Sequence, residues 1–126
     1  MRTACLLVPL LVLVAACDGD DAIICTTEAR FGVNLTVKDA TTGQLIPEGV
    51  RGVLKDGSYR DSLQVFTDIE GRIFSLAGAV ERPGTYRIDL AAPGYQPWTR
   101  SDVRVPEGRC HVEPVSLQAD MVPIGG

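Results

Sequence analysis

Few residue types in this chain can do specific chemistry. They are Cys5, Cys17, Cys25 and Cys110, the single histidine His111, the acids Asp68 and Glu70, and the aromatics Tyr95 and Trp98 with Arg100 nearby. A nucleophilic mechanism would set Ser101 or Ser116 against His111. It would also need an orienting acid and an oxyanion hole, and no spacing here signals either. One imidazole cannot build the multi-histidine metal centres, so no catalytic residue, metal or cofactor is expected. Asp68 and Glu70 before Gly71 could offer oxygens to calcium, but a site takes about six to eight ligands and the EF-hand pattern is absent, so a solvated turn is expected. The same acids are too close on one turn to flank a glycosidic bond. Tyr95, Trp98 and Arg100 are the candidate binding residues, because loop aromatics offer flat contact area. The competing reading is that the only tryptophan of a small domain belongs to its core or lid.

The first cysteines belong to the N-terminus. Met1-Arg2-Thr3 is a short positive start, and the apolar run from Ala4 to Ala16 is broken by Pro9. A membrane-crossing helix needs about 20 apolar residues, so residues 1–16 read as a signal peptide. The run closes with Val14-Ala15-Ala16-Cys17, which resembles a bacterial lipobox. The resemblance implies that Cys17 is acylated and becomes the first residue, with residues 17–30 an acidic tether. Acyl chains at about 0.8 kcal/mol per buried CH2 hold a small protein on a bilayer without a spanning segment. The plainer reading is an ordinary small-residue cleavage site with Cys17 a free thiol. Under the lipobox reading the protein is lipid-anchored in the bacterial cell envelope and faces the periplasm or the exterior. In the enterobacterial sorting rule aspartate after the acylated cysteine favours inner-membrane retention, but the rule is not general and the leaflet stays open.

Loss of the leader removes Arg2 and none of the acids, so the formal charge becomes 11 − 16 = −5. The remaining cations are spread among acids without a basic run. Nucleic acid is therefore not an expected partner, and anionic headgroups are disfavoured likewise. With Cys5 gone and Cys17 acylated, Cys25 and Cys110 can pair only with each other. An exported compartment is oxidising, so they are expected to form a disulfide joining the start of the domain to its last strand. Closure of that span stabilises by about 4 to 5 kcal/mol in the chain-entropy model. His111, next to Cys110, is expected on the outward side of the same strand.

These residues need a scaffold, and 126 residues at 13.5 kDa allow one small domain. Hydrophobic residues at 45% and charged residues at 22% exclude disorder, while thirteen glycines and eight prolines exclude a helical protein. Val33, Leu35 and Val37 alternate with polar residues as a half-buried strand requires, and Asp39 to Gly43 is turn chemistry. Val50 to Lys55, Asp56-Gly57 and Ser58 to Leu63 read as a hairpin. Further strands carry Ile73 to Leu76, Tyr86 to Leu90, Val103 with Val105, and Cys110 to Leu117, with Pro114 marking an edge or bulge. Six or seven strands at intervals of about ten residues predict an all-β, single antiparallel β-sandwich over residues 31–118, with residues 119–126 a loose C-terminal tail.

The chain resembles the carboxypeptidase regulatory-like domain, a transthyretin-like, immunoglobulin-like β-sandwich, over roughly Gly32 to Leu117. The resemblance rests on Val33, Leu35 and Val37 before Asp39-Ala40-Thr41-Thr42-Gly43, on Thr67-Asp68 with Gly71-Arg72, and on Pro83-Gly84-Thr85-Tyr86. Ala92-Pro93-Gly94-Tyr95-Gln96-Pro97 completes it. It implies an accessory, non-catalytic domain. The related hydroxyisourate hydrolases use several histidines and a C-terminal Tyr-Arg-Gly-Ser motif, and this chain has neither. The expectation is an anchored lipoprotein whose sandwich serves as a binding or structural module. The alternatives are a surface carbohydrate-binding module using Tyr95 and Trp98, and an accessory subunit of an envelope protein complex that adds a partner to an exposed sheet edge.

Overall fold

The computed structural model describes residues 22–46 and 48–125; the expected signal peptide over residues 1–16 and Cys17 lie outside the described residues. Eight strands and no helix are present among them: β1 (Phe31–Asp39), β2 (Arg51–Asp56), β3 (Tyr59–Ser62), β4 (Gln64–Thr67), β5 (Ile73–Val80), β6 (Gly84–Ala91), β7 (Trp98–Val105) and β8 (Val115–Met121). They form two four-stranded sheets, ordered β4-β5-β1-β8 and β3-β2-β6-β7. The expected all-β sandwich is the observed architecture.

Alternation sets which face each strand buries. Val33, Leu35 and Val37 of β1 meet Leu54 of β2 and Tyr86, Ile88 and Leu90 of β6 in one core, each at most 2% exposed. Burying such a side chain contributes about 1.5 to 3 kcal/mol. Gly78 gives Leu54 and Leu63 their space, because a Cβ there would stand 2.6 Å from Leu54 Cδ1 and 2.8 Å from Leu63 Cδ2. The β2–β3 hairpin turns at Gly57-Ser58, one residue later than Asp56-Gly57, since Asp56 still pairs with Tyr59; Gly57 stands at φ 58°, the left-handed conformation that glycine adopts without strain. Leu63 then carries the chain from the second sheet to the first. Its side chain is 7% exposed and its N–H donates to the Gly52 carbonyl at 2.9 Å.

Three features depart from expectation. β4 is an eighth strand that pairs antiparallel with β5. β8 pairs with β1 in parallel, from Val33↔Val115 to Asp39↔Met121, so the sandwich is antiparallel except at this seam. Finally, the last strand begins at Val115 and runs past residue 118 to Met121. Its apolar alternation, Val115, Leu117, Ala119, Met121, crosses the expected boundary, and Ala119 and Met121 are fully buried. The following residues are held too: the Gln96 N–H donates to the Val122 carbonyl and the Ile124 N–H to that of Gly94, both at 2.8 Å.

Candidate functional site

Parallel pairing of β1 with β8 brings the segments that precede both strands to the same end of the sandwich. Cys25 precedes β1 and Cys110 precedes β8, and they form the disulfide, with Cα atoms 5.3 Å apart across a separation of 85 residues. Cys110 lies in the β7–β8 loop rather than in the last strand. Pro106 and Pro114 bracket that loop, and the Gly108 N–H turns back onto the His111 carbonyl at 2.9 Å. His111 is accordingly not an outward strand residue; its side chain is 11% exposed.

Around the disulfide two chain segments converge on Glu81 in the β5–β6 turn. Glu81 Oε1 accepts the Arg30 N–H at 2.7 Å and lies 2.7 Å from His111 Nδ1, while Oε2 accepts the Val112 N–H at 3.3 Å. The backbone N–H of Glu81 returns a bond to the Arg30 carbonyl at 2.9 Å. Partial burial pushes the Glu81 carboxyl up, but the Arg30 N–H, His111 and the Val112 N–H together outweigh it and hold it below its ordinary value. His111 Nε2 lies 2.9 Å from Thr26 Oγ1. Hydroxyl, imidazole and carboxylate are thus connected in the order of a nucleophilic relay. With Glu81 tied to both Arg30 and Val112, the arrangement is first a clasp that fastens the N-terminal segment and the β7–β8 loop to the sandwich. An open depression of about 460 Å³ lies beside it, lined by residues that include Ile24, Thr26, Arg30, Arg109 and His111. Neither Ser101 nor Ser116 bonds to His111, whose partners are Thr26 and Glu81. Positions 26, 81 and 111 share no local spacing, so sequence reasoning had no signal for this cluster.

The sequence-derived binding residues lie toward the other end. Tyr95 is half-buried against the core in the β6–β7 connection, and its hydroxyl donates to Asp39 Oδ2 at 2.7 Å. Asp39 Oδ1 also accepts the N–H groups of Thr41 and Thr42, at 2.7 and 3.0 Å. These bonds, the tyrosine's first, hold the Asp39 carboxyl below its ordinary value, and the same bond pushes the Tyr95 hydroxyl up. Trp98 opens β7 opposite Leu90 and packs, half-buried, against the core. Arg100 is exposed farther along β7, opposite Ile88. Tyr95 lines a depression of about 330 Å³ with Ile46, Glu48, Gly49 and Pro93; Trp98 and Arg100 do not. The three residues therefore do not converge on one pocket.

Asp68 and Glu70 both face Arg72, whose Nε lies 2.9 Å from Asp68 Oδ2 and whose terminal nitrogen lies 2.9 Å from Glu70 Oε2. Asp68 Oδ1 accepts the N–H groups of Glu70 and Arg72, making this a self-capped turn. Among the described residues no three His, Cys, Asp or Glu side chains gather as metal ligands.

Compared with known proteins, the chain matches no family model and no curated protein.

Proposed function

We propose that the protein is a bacterial envelope lipoprotein whose disulfide-closed β-sandwich is a non-catalytic binding or structural module of the carboxypeptidase regulatory-like kind. The observation that carries this reading is the Cys25–Cys110 disulfide at the end where the N-terminal segment joins the sandwich. It suits an oxidising, exported compartment, as the leader and Val14-Ala15-Ala16-Cys17 require.

Geometry gives the anchor a consequence. From Cys17 to Cys25 the chain has 25 − 17 = 8 residues, which span at most about 29 Å when extended. An acylated Cys17 would hold the clasp end within that reach of the bilayer. The nine residues of β1 add about 30 Å, so the Asp39–Tyr95 end would face away from the membrane. Non-catalysis is supported by the clasp, since Glu81 of the one hydroxyl–imidazole–carboxylate cluster ties two segments of backbone to the fold.

Metabolic labelling with a fatty-acid analogue tests the anchor. The natural chain should be labelled and a Cys17→Ser variant should not; equal labelling of both, or none of the natural chain, overturns it.

The accessory-subunit reading draws support from β4. This four-residue strand pairs only with β5 and carries Val65 and Phe66, 43% and 36% exposed, at a sheet edge of the kind that accepts an added strand. Co-purification of a partner in detergent, lost on Val65→Pro, is the expected result; its persistence in that variant would remove the edge from the account.

A further inference from the structure

The outward face of the second sheet concentrates positive charge on a protein whose formal charge is −4. Tyr86, Ile88 and Leu90 of β6 and Leu54 of β2 point into the core, so their neighbours Arg87, Asp89 and Lys55 point outward. Register extends the face. Lys55 stands directly opposite Arg60 of β3 on one side and Arg87 of β6 on the other. Arg104 of β7 pairs with Thr85, which shares the face with Arg87, and Arg51 opposite Ala91 lies farther along β2. Arg60, Lys55, Arg87 and Arg104 thus form a stripe across all four strands, with neighbouring strands about 4.8 Å apart.

Like charges directly opposite one another destabilise a sheet. This stripe is only partly relieved: Asp89 lies 3.2 Å from Lys55 and 3.1 Å from Arg87, with Thr99 donating to it at 2.9 Å. Asp89 is the only acid at the outward positions that register fixes; Asp102 stands at the β7 bulge with φ 57°. Among the described residues, Arg51, Arg60 and Arg104 enter no ion pair.

We propose that this face binds a linear acidic polysaccharide, a polymer bearing a carboxylate on successive sugars. The complementarity is one of charge and shape. Guanidinium groups grip carboxylates through two parallel bonds, and the stripe presents three of them with one ammonium in a line. Exposed hydroxyls of Ser62, Thr85 and Thr99 stand beside the cations to meet sugar hydroxyls. Other anionic partners fit less well. Membrane-surface binders set apolar side chains beside their cations, and here the outward apolar residues are only Val53 and Ala91. Single-stranded nucleic acid calls for stacking aromatics, and the face has none. This assignment deepens the binding-module reading by naming a ligand, and it does not depend on acylation.

The test is binding of the full chain to immobilised polygalacturonate, with neutral dextran, phosphatidylglycerol vesicles and duplex DNA in parallel. Polygalacturonate should be bound at low salt, with affinity falling as salt rises, and dextran should not. Arg60→Gln with Arg104→Gln, both exposed and free of ion pairs, should weaken binding by roughly threefold to thirtyfold without lowering the melting midpoint. Lys38→Gln, on the other sheet, should leave binding unchanged. Absence of polygalacturonate binding by the folded protein, or equal binding by the double variant, overturns the proposal. Tighter binding to vesicles or DNA, lost in the same variant, reassigns the face and overturns it equally. None of these outcomes alters the fatty-acid labelling result, so the two readings fail separately.

Discussion

Replacing Trp98 with alanine separates a scaffold role for this residue from a binding role. The indole opens β7 opposite Leu90 and packs, half-buried, against the core cluster. An aromatic side chain in such a place buries on the order of 150 Å² or more, which at about 25 cal/mol per Å² corresponds to roughly 4 kcal/mol. Retention of the alanine methyl and the exposed part of the ring reduce this to about 3 kcal/mol, at the lower end of the range for large aromatic-to-alanine changes. For a domain of this size each kcal/mol moves the midpoint by about 4 to 8 °C, so Trp98→Ala should melt roughly 12 to 24 °C lower. The assay is thermal unfolding followed by circular dichroism under non-reducing conditions, with polygalacturonate binding measured well below the midpoint. Affinity should be unchanged, because Trp98 lies on the core side of the sheet whose outward side carries the cations. A midpoint within about 2 °C of the natural chain would refute the packing argument and return Trp98 to the surface.

Other perturbations test the rest of the framework. Tyr95→Phe removes the bond to Asp39 at 2.7 Å. Because that bond lowers the Asp39 pKa and raises that of Tyr95, the natural chain's advantage over the variant should be present at neutral pH, fade as pH falls through the depressed folded value of Asp39, and fade again as pH rises through the elevated value of Tyr95. Melting curves across pH would show it, and a pH-independent gap would contradict it. Glu81→Ala should speed hydrogen exchange at the amides of Arg30 and Val112 while leaving those of β2 and β6 protected; unchanged exchange at both sites would remove the clasp. Gly78→Val would drive side-chain atoms into Leu54 and Leu63, so a loss of about 1 to 3 kcal/mol or more is expected in denaturant unfolding, and a neutral result would mean the two sheets can separate locally, by about the width of a methyl group.

Much of the scaffold was legible because its signals are local. Asp56-Gly57 marks the hairpin, Val33, Leu35 and Val37 mark a strand by alternation alone, and Tyr86, Ile88 and Leu90 repeat the pattern. What stayed hidden depends on distance. Nothing near β1 announces that β8 will lie parallel to it, and that pairing is what carries Cys110 into a loop beside Cys25. The last strand outruns its expected end at residue 118, because its apolar alternation continues through Ala119 and Met121 on either side of charged Asp120. The cationic face was invisible for a related reason. A period of two sends Arg51, Lys55, Arg87 and Arg104 to one side while their neighbours go to the other, so a strongly basic surface arises without a basic run. Counting charge separately on the non-core positions of each strand would have found it.

The proposed molecule is an exported, lipid-held sandwich closed by one disulfide at its anchored end. Non-reducing peptide mapping of the native protein, taken from membranes and read by mass spectrometry, tests it most directly. One linked species containing Cys25 and Cys110 is expected, together with an N-terminal peptide beginning at Cys17 with the added mass of acyl chains. Free thiols at both Cys25 and Cys110, or an N-terminal peptide that retains the leader and an unmodified Cys17, would contradict it.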